Sequence, residues 1–228
     1  MKRTAILILL LGLIAGGGWT AWVQLHVAVV TCDVLVIGAG IGGLSAAYEA
    51  GRGGLRVEVA EMNSVFGGNG VLSEGGLFIV DTPLQRSQGL EDSMLLAEQD
   101  ILNWGEDADP DWARILARDS RQEIYDWLTG LGVQFFAVRP QAGNHVPRFH
   151  ENREKGLGLL RPIYRECRQN PHIRFHWNTR MEELIVQDGA VVGGIGRNLR
   201  SRMRVRFAAR SVILATGNEV FDPAVFDT

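Results

Sequence analysis

The sequence predicts an α/β fold with a central parallel sheet and an additional β-sheet layer. An apolar, β-branched run at 33–37 leads into a glycine-rich turn, and a helix-forming stretch follows at 44–50. A second β-rich run at 56–60 completes a strand–helix–strand unit, which is typical of a parallel sheet. Further strands are predicted at 174–177, 183–187, 191–195, 203–207 and 212–214.

Apolar residues at helical spacing predict further helices along the chain. Three helices are predicted, at 91–103, 111–128 and 158–168. Their aromatic residues Trp104, Trp112 and Trp127 are expected to be core anchors, because a large ring gains most from burial.

Composition limits the classes of function. The 228 residues, 46% of them hydrophobic, are enough to bury the core of one sizeable domain. A net charge of -3 gives no basic surface for phosphate backbones, so no nucleic-acid partner is expected. Cys32 and Cys167 form neither a disulfide framework nor a CxxC motif. We interpret both as core residues, with a catalytic nucleophile as the alternative.

The amino terminus is predicted to be a targeting or anchoring segment, 1–31, that precedes a domain at 32–228. Lys2 and Arg3 precede an apolar run, and no charged residue occurs from Thr4 until Asp33. The stretch 4–23 has about the 20 residues that a membrane span needs. Tryptophans occupy positions where a cleavage site would have small residues, which favours an uncleaved anchor over a signal peptide. The chain is therefore expected to be membrane-associated or exported, and its orientation stays open.

The glycine-rich turn carries the functional interpretation. Its residues are Gly38, Ala39, Gly40, Gly42 and Gly43. In a Rossmann-like dinucleotide-binding unit, the first glycine permits the turn, and Gly40 lets the backbone approach a pyrophosphate. Gly43 permits close packing of helix and strand, and the helix amino terminus attracts the phosphates.

An acidic residue follows the second predicted strand. Glu61 lies 18 residues beyond Gly43, the spacing at which such folds place a carboxylate on the adenosine ribose. This carboxylate would repel a 2′-phosphate, which argues against NADP. A solvent-exposed surface glutamate is the alternative.

The segment that follows resembles the glycine-rich, flavin-contacting segment of the fumarate reductase and succinate dehydrogenase flavoprotein family. The resemblance lies in 67–77 and implies FAD, not NAD, as the cofactor. An NAD-dependent dehydrogenase, the competing interpretation, would leave this segment without a purpose. The resemblance places Gly67, Gly68, Asn69, Gly75 and Gly76, together with Met62, among the cofactor-binding residues.

Within that family the sequence is most similar to FAD-binding dehydrogenases related to ketosteroid dehydrogenase. The similarity includes 77–83, 85–86, 89–93 and 146–150. Near 178–181 the chain resembles the adenine-side strand, which adds Met181. Residues 212–217 resemble the ATGG strand end, with Asn218 in place of the second glycine, and add Ala215, Thr216 and Gly217 to the cofactor site.

The resemblance implies hydride transfer between flavin N5 and an alkane or alkene carbon next to a carbonyl or carboxylate. A small-molecule substrate and an electron-donor protein are the partners it implies. In the family a cap domain and a final flavin-binding segment follow, so the chain is expected to be incomplete after Thr228. The alternative is a non-catalytic or remnant module tethered to a membrane, which binds the dinucleotide without turnover.

Catalytic and metal-binding residues are less well marked. Arg148 and His150 are the candidates, since the resemblance brings this region towards the flavin, and an ordinary loop pair is the alternative. No metal site is expected, because the acidic stretch 107–111 lacks the glycine and distal glutamate of a calcium loop.

Four arginines alternate along the chain at and just before the strand predicted at 203–207. They are Arg200, Arg202, Arg204 and Arg206, which strand spacing would place on one face, opposite Met203, Val205 and Phe207. A solvated face is the expected role, and contact with anionic lipid is the alternative.

Overall fold

A computed structural model describes residues 28–217 of the chain. The strands are β1 (Ala28–Ile37), β2 (Val57–Ala60), β3 (Leu77–Phe78), β4 (Phe135–Arg139), β5 (Phe149–Asn152), β6 (Ile173–His176), β7 (Thr179–Gln187), β8 (Ala190–Asn198) and β9 (Arg204–Leu214). The main sheet has six strands in the order β6-β2-β1-β9-β8-β7, and a second sheet has three in the order β3-β5-β4.

The helices pack around these sheets. They are α1 (Ile41–Arg52), α2 (Pro83–Ser87), α3 (Met94–Trp104), α4 (Pro110–Ser120), α5 (Trp127–Gly130) and α6 (Lys155–Gln169). A single π-helical turn, Arg121–Asp126, joins α4 to α5, and a 3₁₀ helix covers Gly68–Leu72.

The parallel half of the main sheet confirms the predicted α/β class. Strand β1 lies between β2 and β9 and runs parallel to both, and β2 runs parallel to β6. Ile37 is paired with Ala60 on one side and with Leu214 on the other. The carboxyl ends of these strands therefore meet at one edge, where ligands bind in open α/β sheets.

The predicted additional β-sheet is the separate antiparallel sheet of β3, β5 and β4, whereas the antiparallel half of the main sheet continues the parallel strands. Strands β7, β8 and β9 form a meander, and a buried cluster that includes Leu35 and Phe207 joins it to the parallel half. The ring of Phe207 meets His176 edge to face at 4.9 Å. Through this contact and the hydrogen bond from Thr179 N–H to the Glu61 carbonyl (2.8 Å), the meander reaches the carboxyl end of β2.

Most of the predicted helices are confirmed with small changes at their ends. The helix predicted at 91–103 begins at Met94, three residues late, because Ser93 caps it by accepting a hydrogen bond from Leu96 N–H. Asp109 caps α4 in the same way, as the acidic turn indicated. The prediction for two tryptophans was wrong: Trp104 is 65% exposed and Trp112 is 70% exposed.

The first strand begins earlier than the sequence predicted. Strand β1 begins at Ala28, so it includes the last four residues of the segment predicted at 1–31. The reason is pairing along β9, where Ala28 lies opposite Val205. The remainder of that segment, and residues 218–228 with Asn218, lie outside the described residues. Between residues 28 and 217 no helix is long and apolar enough to cross a bilayer.

The arginine pattern was also predicted wrongly in part. Arg204 and Arg206 lie on β9, but Arg200 and Arg202 lie in the turn that joins β8 to β9. Asn198 forms this turn, because its side-chain oxygen accepts hydrogen bonds from the backbone of Arg200 and Ser201. The four side chains therefore do not share one strand face.

Candidate functional site

The glycine turn after β1 is held so closely that its first residue has no room for a side chain. Gly38 has φ +107°, and a Cβ there would lie 2.3 Å from the carbonyl oxygen of Ala215. Its N–H donates to the Ala60 carbonyl at 2.8 Å, and Ala215 N–H donates to Ile37 at 2.9 Å. The turn thus joins the ends of three neighbouring strands.

Helix α1 begins directly at this turn with an uncapped amino terminus. Its N-cap residue is Gly40, which provides no side-chain acceptor, and the first turn contains no acidic residue. A Cβ on Gly43 would lie 1.9 Å from the Gly38 carbonyl oxygen, whereas a Cβ on Gly42 would meet no atom within 4 Å. One glycine is therefore required for packing, and the other leaves open space beside the N–H groups of the helix start.

Glu61 follows β2 and is 6% exposed. Its two carboxylate oxygens accept hydrogen bonds from the backbone N–H groups of Ala39 at 2.8 Å and Asn63 at 2.7 Å. The alternative of a solvent-exposed surface glutamate is therefore wrong. The neighbouring Met62 is 53% exposed.

The second glycine segment lies against the first. Gly67 donates its N–H to the Ala39 carbonyl at 2.8 Å, and both Gly67 and Gly68 have positive φ. A Cβ on Gly68 would lie 3.9 Å from the Cα of Gly40. Asn69 follows in the exposed 3₁₀ helix. The two segments that the sequence assigned to one cofactor are thus in contact.

Gly75 and Gly76 lead into β3 and pack closely against other parts of the chain. A Cβ on Gly75 would lie 2.2 Å from the backbone of Lys155, and one on Gly76 would lie 1.7 Å from the ring of Phe149. Asn152 fixes this segment by donating a hydrogen bond to the Gly75 carbonyl at 3.0 Å. Asn152 was not identified from the sequence, since a single asparagine after a β-rich run carries no motif.

Some of the remaining predicted cofactor-binding residues also lie at the carboxyl edge of the parallel strands. Ala215 and Thr216 directly follow β9, and Gly217 has φ +81°. Met181 lies on β7, two residues after the contact between Thr179 and Glu61. Its side chain packs against the backbone of β8, because a Cβ on Gly194 would lie 2.6 Å from its terminal methyl group.

Arg148 and His150 are brought together, but both are fully buried in a polar cluster. The Arg148 guanidinium donates to Asp92 at 2.7 Å and 2.9 Å, to Asp100 at 2.5 Å and to the side-chain oxygen of Asn144 at 3.0 Å. The geometry therefore favours the structural alternative for Arg148.

His150 is paired on both of its ring nitrogens. Nδ1 donates to the Arg148 carbonyl at 2.8 Å, and Nε2 accepts from the Thr82 hydroxyl at 2.7 Å. Thr82 and Gln85 form a capping box at the start of α2, and Gln85 donates to Asp92 at 2.9 Å. The cluster is thus one hydrogen-bonded network that reaches from the Arg148 ion pairs to the strand after Gly76.

Burial sets the charge states in this cluster. Burial lowers the pKa of His150 below its ordinary value, although its backbone hydrogen bonds oppose the shift. For Asp100 burial acts to raise the pKa, but hydrogen bonds from Arg148 and His145 outweigh it and leave the pKa lowered. A neutral imidazole therefore lies beside an ionised arginine–aspartate group.

The cysteines agree with their predicted role as core residues. Burial raises the pKa of the Cys32 thiol to about 11 and that of Cys167 to about 12. Thiols at these values stay protonated near neutral pH and are poor nucleophiles. In residues 28–217 no three His, Cys, Asp or Glu side chains are grouped to hold a metal ion.

Comparison with known proteins gives a family match over most of the chain. Residues 33–220 match the family described as FAD binding domain. A KsdD-like steroid dehydrogenase of Mycobacterium tuberculosis is 34% identical over 218 residues, which covers 82% of this chain and 38% of the relative. A fumarate reductase (cytochrome) of Shewanella frigidimarina is 31% identical over 191 residues, 82% of this chain and 33% of the relative.

Solved structures show the same fold. The open conformation of a flavocytochrome c3 fumarate reductase aligns with a TM-score of 0.78 at 27% identity, covering 89% of this chain and 36% of that one. The 3-ketosteroid-Δ4-(5α)-dehydrogenase of Rhodococcus jostii RHA1 aligns at 0.72 and 28% identity, covering 82% and 46%. The chain thus spans less than half the length of these relatives.

Proposed function

Since the chain belongs to the family of FAD-binding domains, we propose that it forms the cofactor-binding part of a flavin-dependent oxidoreductase. The observation that carries the proposal is the contact between the two glycine segments, in which Gly67 N–H donates to the Ala39 carbonyl. Glu61 accepts a hydrogen bond from the same residue, Ala39. One small area therefore offers an uncapped helix end and a carboxylate, the two groups that a dinucleotide requires.

The residues fit FAD at each of its parts. The open space beside Gly42 gives the diphosphate access to the amino terminus of α1. Glu61 accepts hydrogen bonds from the adenosine ribose. Gly75 and Gly76 line the flavin end, where any side chain would clash with Lys155 or Phe149. Gly75 is buried and Gly76 is half-buried, so glycine at both positions lets this segment pack closely against Lys155 and Phe149.

The reaction we propose is hydride exchange with a carbon next to a carbonyl or carboxylate. Bound FAD supplies the hydride acceptor and donor at flavin N5. The relatives are named steroid dehydrogenase and fumarate reductase, which supports a ketosteroid or an unsaturated dicarboxylate as the substrate class. This chain contributes binding and orientation of the cofactor, with an electron-donor protein as a further proposed partner.

A cofactor-holding module without turnover is the second candidate. The observation that favours it is the burial of Arg148 and His150, whose hydrogen-bonding groups are all used inside the domain. These two residues were the catalytic candidates that the sequence offered, and in the described residues 28–217 neither is free to contact a substrate.

The two candidates differ in the response of bound flavin. The full chain is loaded with FAD, reduced chemically under anaerobic conditions and mixed with fumarate or with a 3-keto-steroid alkene. Return of the oxidised flavin absorbance with formation of saturated product supports the oxidoreductase. Bound FAD that is reoxidised by neither compound supports the holding module.

A further inference from the structure

The turn between β8 and β9 lies where the amino-terminal residues join the fold. Ala28, the first described residue, is paired with Val205, and the turn ends immediately before Arg204. Residue 23, the last of the uncharged apolar run, precedes Ala28 by five residues. Five residues span at most about 18 Å, so any surface that holds the run lies within reach of this turn.

The turn itself is shaped by Asn198 and exposes its side chains. Arg202 donates its N–H to the Asn198 carbonyl at 2.8 Å and has φ +64°. Arg200, Ser201 and Arg202 are all exposed. Met203 follows them and is 57% exposed, so an apolar side chain stands beside the cations.

The arginines of this hairpin fall into two electrostatic classes. Arg197 pairs with Glu182 at 2.9 Å, and Arg204 pairs with Glu183 at 3.2 Å. Within the described part of the chain, Arg200 and Arg202 have no carboxylate within 4 Å. Two exposed positive charges are thus left without partners at the tip, although the whole chain is net negative.

Uncompensated arginines next to an exposed methionine match the chemistry of an anionic membrane surface. Arginine binds phosphate oxygens through its planar fork of donors, and a methionine side chain partitions into the acyl boundary. Each basic residue near an anionic bilayer strengthens binding, and the effect extends over about a screening length. The apolar run at 4–23, about 20 residues long, precedes β1 in the sequence. It supplies the second membrane-binding element that stable anchoring requires.

We propose that the β8–β9 turn, residues 199–203, docks on the headgroups of an anionic phospholipid bilayer. Arg200 and Arg202 contact the lipid phosphates, and the segment at 4–23 holds the chain at the same surface. This inference does not depend on the cofactor or on the reaction proposed above.

A probe at the tip of the turn tests the proposal. The Ser201→Cys variant of the full chain is labelled with a fluorophore, since Cys32 and Cys167 are buried and resist labelling. The labelled chain is reconstituted into neutral phosphatidylcholine vesicles and into vesicles containing phosphatidylglycerol. Acrylamide, an uncharged quencher, is expected to quench the probe at least about twofold less in the anionic vesicles.

Two comparisons distinguish docking from incidental protection. Raising salt from about 0.1 M to about 1 M shortens the screening length from about 10 Å to about 3 Å and should abolish the difference. Combining the probe with Arg200→Gln and Arg202→Asn should abolish it too, and asparagine suits the positive φ at the second position.

The matched control removes two exposed arginines elsewhere, Arg168→Gln and Arg174→Gln, and should leave the protection unchanged. A second control places the label on α6 with Gln169→Cys, which should be quenched equally in both kinds of vesicle. Equal quenching of the probe at position 201 in neutral and anionic vesicles would overturn the proposal. Failure of the full chain to associate with either kind of vesicle would also overturn it.

Discussion

Ala39 donates its backbone N–H to the carboxylate of Glu61 at 2.8 Å, across 22 residues of sequence. The same residue accepts a hydrogen bond from Gly67 N–H through its carbonyl. A single buried residue therefore joins the glycine turn, the end of β2 and the second glycine segment. Any change that loosens one of these three elements should be felt at the other two.

The first prediction concerns the Glu61 carboxylate. Glu61→Gln should weaken FAD binding by roughly 10- to 100-fold, because hydrogen bonds to a charged group contribute about 1.5–3 kcal/mol. Flavin fluorescence during titration of the apoprotein measures the affinity. Glu106→Gln is the matched control, since Glu106 is exposed in the loop before α4, lies outside the proposed cofactor segments and should alter affinity little.

Alanine substitutions at two neighbouring glycines of the turn after β1 should have opposite effects on folding. Gly43→Ala places a methyl group 1.9 Å from a backbone oxygen and should prevent a stable fold, whereas Gly42→Ala meets open space and should fold normally. The second variant should lose FAD affinity because its methyl group occupies the approach to the helix amino terminus. Thermal unfolding and FAD titration of both variants measure these effects, and normal folding of Gly43→Ala would contradict the packing described.

Breaking the buried ion pairs should cost far more than breaking an exposed one. Arg148→Met leaves Asp92 and Asp100 buried without their counter-charge and should lower the free energy of unfolding by about 3–5 kcal/mol. Arg139→Met, which removes an exposed partner of Glu151, should change it by less than about 1 kcal/mol. Urea unfolding compares them, and equal effects would show that Arg148 is not a structural residue.

The buried His150 should make stability depend on pH in a definite direction. Because burial lowers its folded-state pKa, the unfolded chain binds a proton first as pH falls below the ordinary value of 6.5. Stability should therefore decrease from pH 6.5 towards the folded pKa, and it should be recovered fully above 6.5. His150→Asn should flatten this part of the curve of unfolding free energy against pH, whereas an unchanged slope would assign it to another group.

The sequence was most informative where backbone sterics or burial permit only one type of residue. A Cβ on Gly38 or on Gly43 would lie less than 2.5 Å from a backbone oxygen, so only glycine fits at these positions and glycine spacing alone predicted them. Burial of the carboxyl end of β1 on both faces likewise follows from its apolar run. Glu61 was found because its position relative to the turn is fixed by one helix and one strand.

What the sequence did not predict depends on distant partners. Arg148 forms ion pairs with Asp100 and Asp92, which are 48 and 56 residues away in sequence. No local spacing of residues predicts such a pairing. The early start of β1 at Ala28 depends on its register with Val205 for the same reason. The turn at Asn198 was missed because alternating arginines imitate strand periodicity.

Binding of FAD in preference to FMN tests the central claim most directly. FMN carries the same flavin but lacks the adenosine diphosphate end, which is the part held by the start of α1 and by Glu61. Equilibrium titration of the full apoprotein should therefore show FAD binding at least about 100-fold tighter than FMN, a difference of about 2.7 kcal/mol. Equal affinity for the two flavins, or no affinity for FAD, would contradict the account.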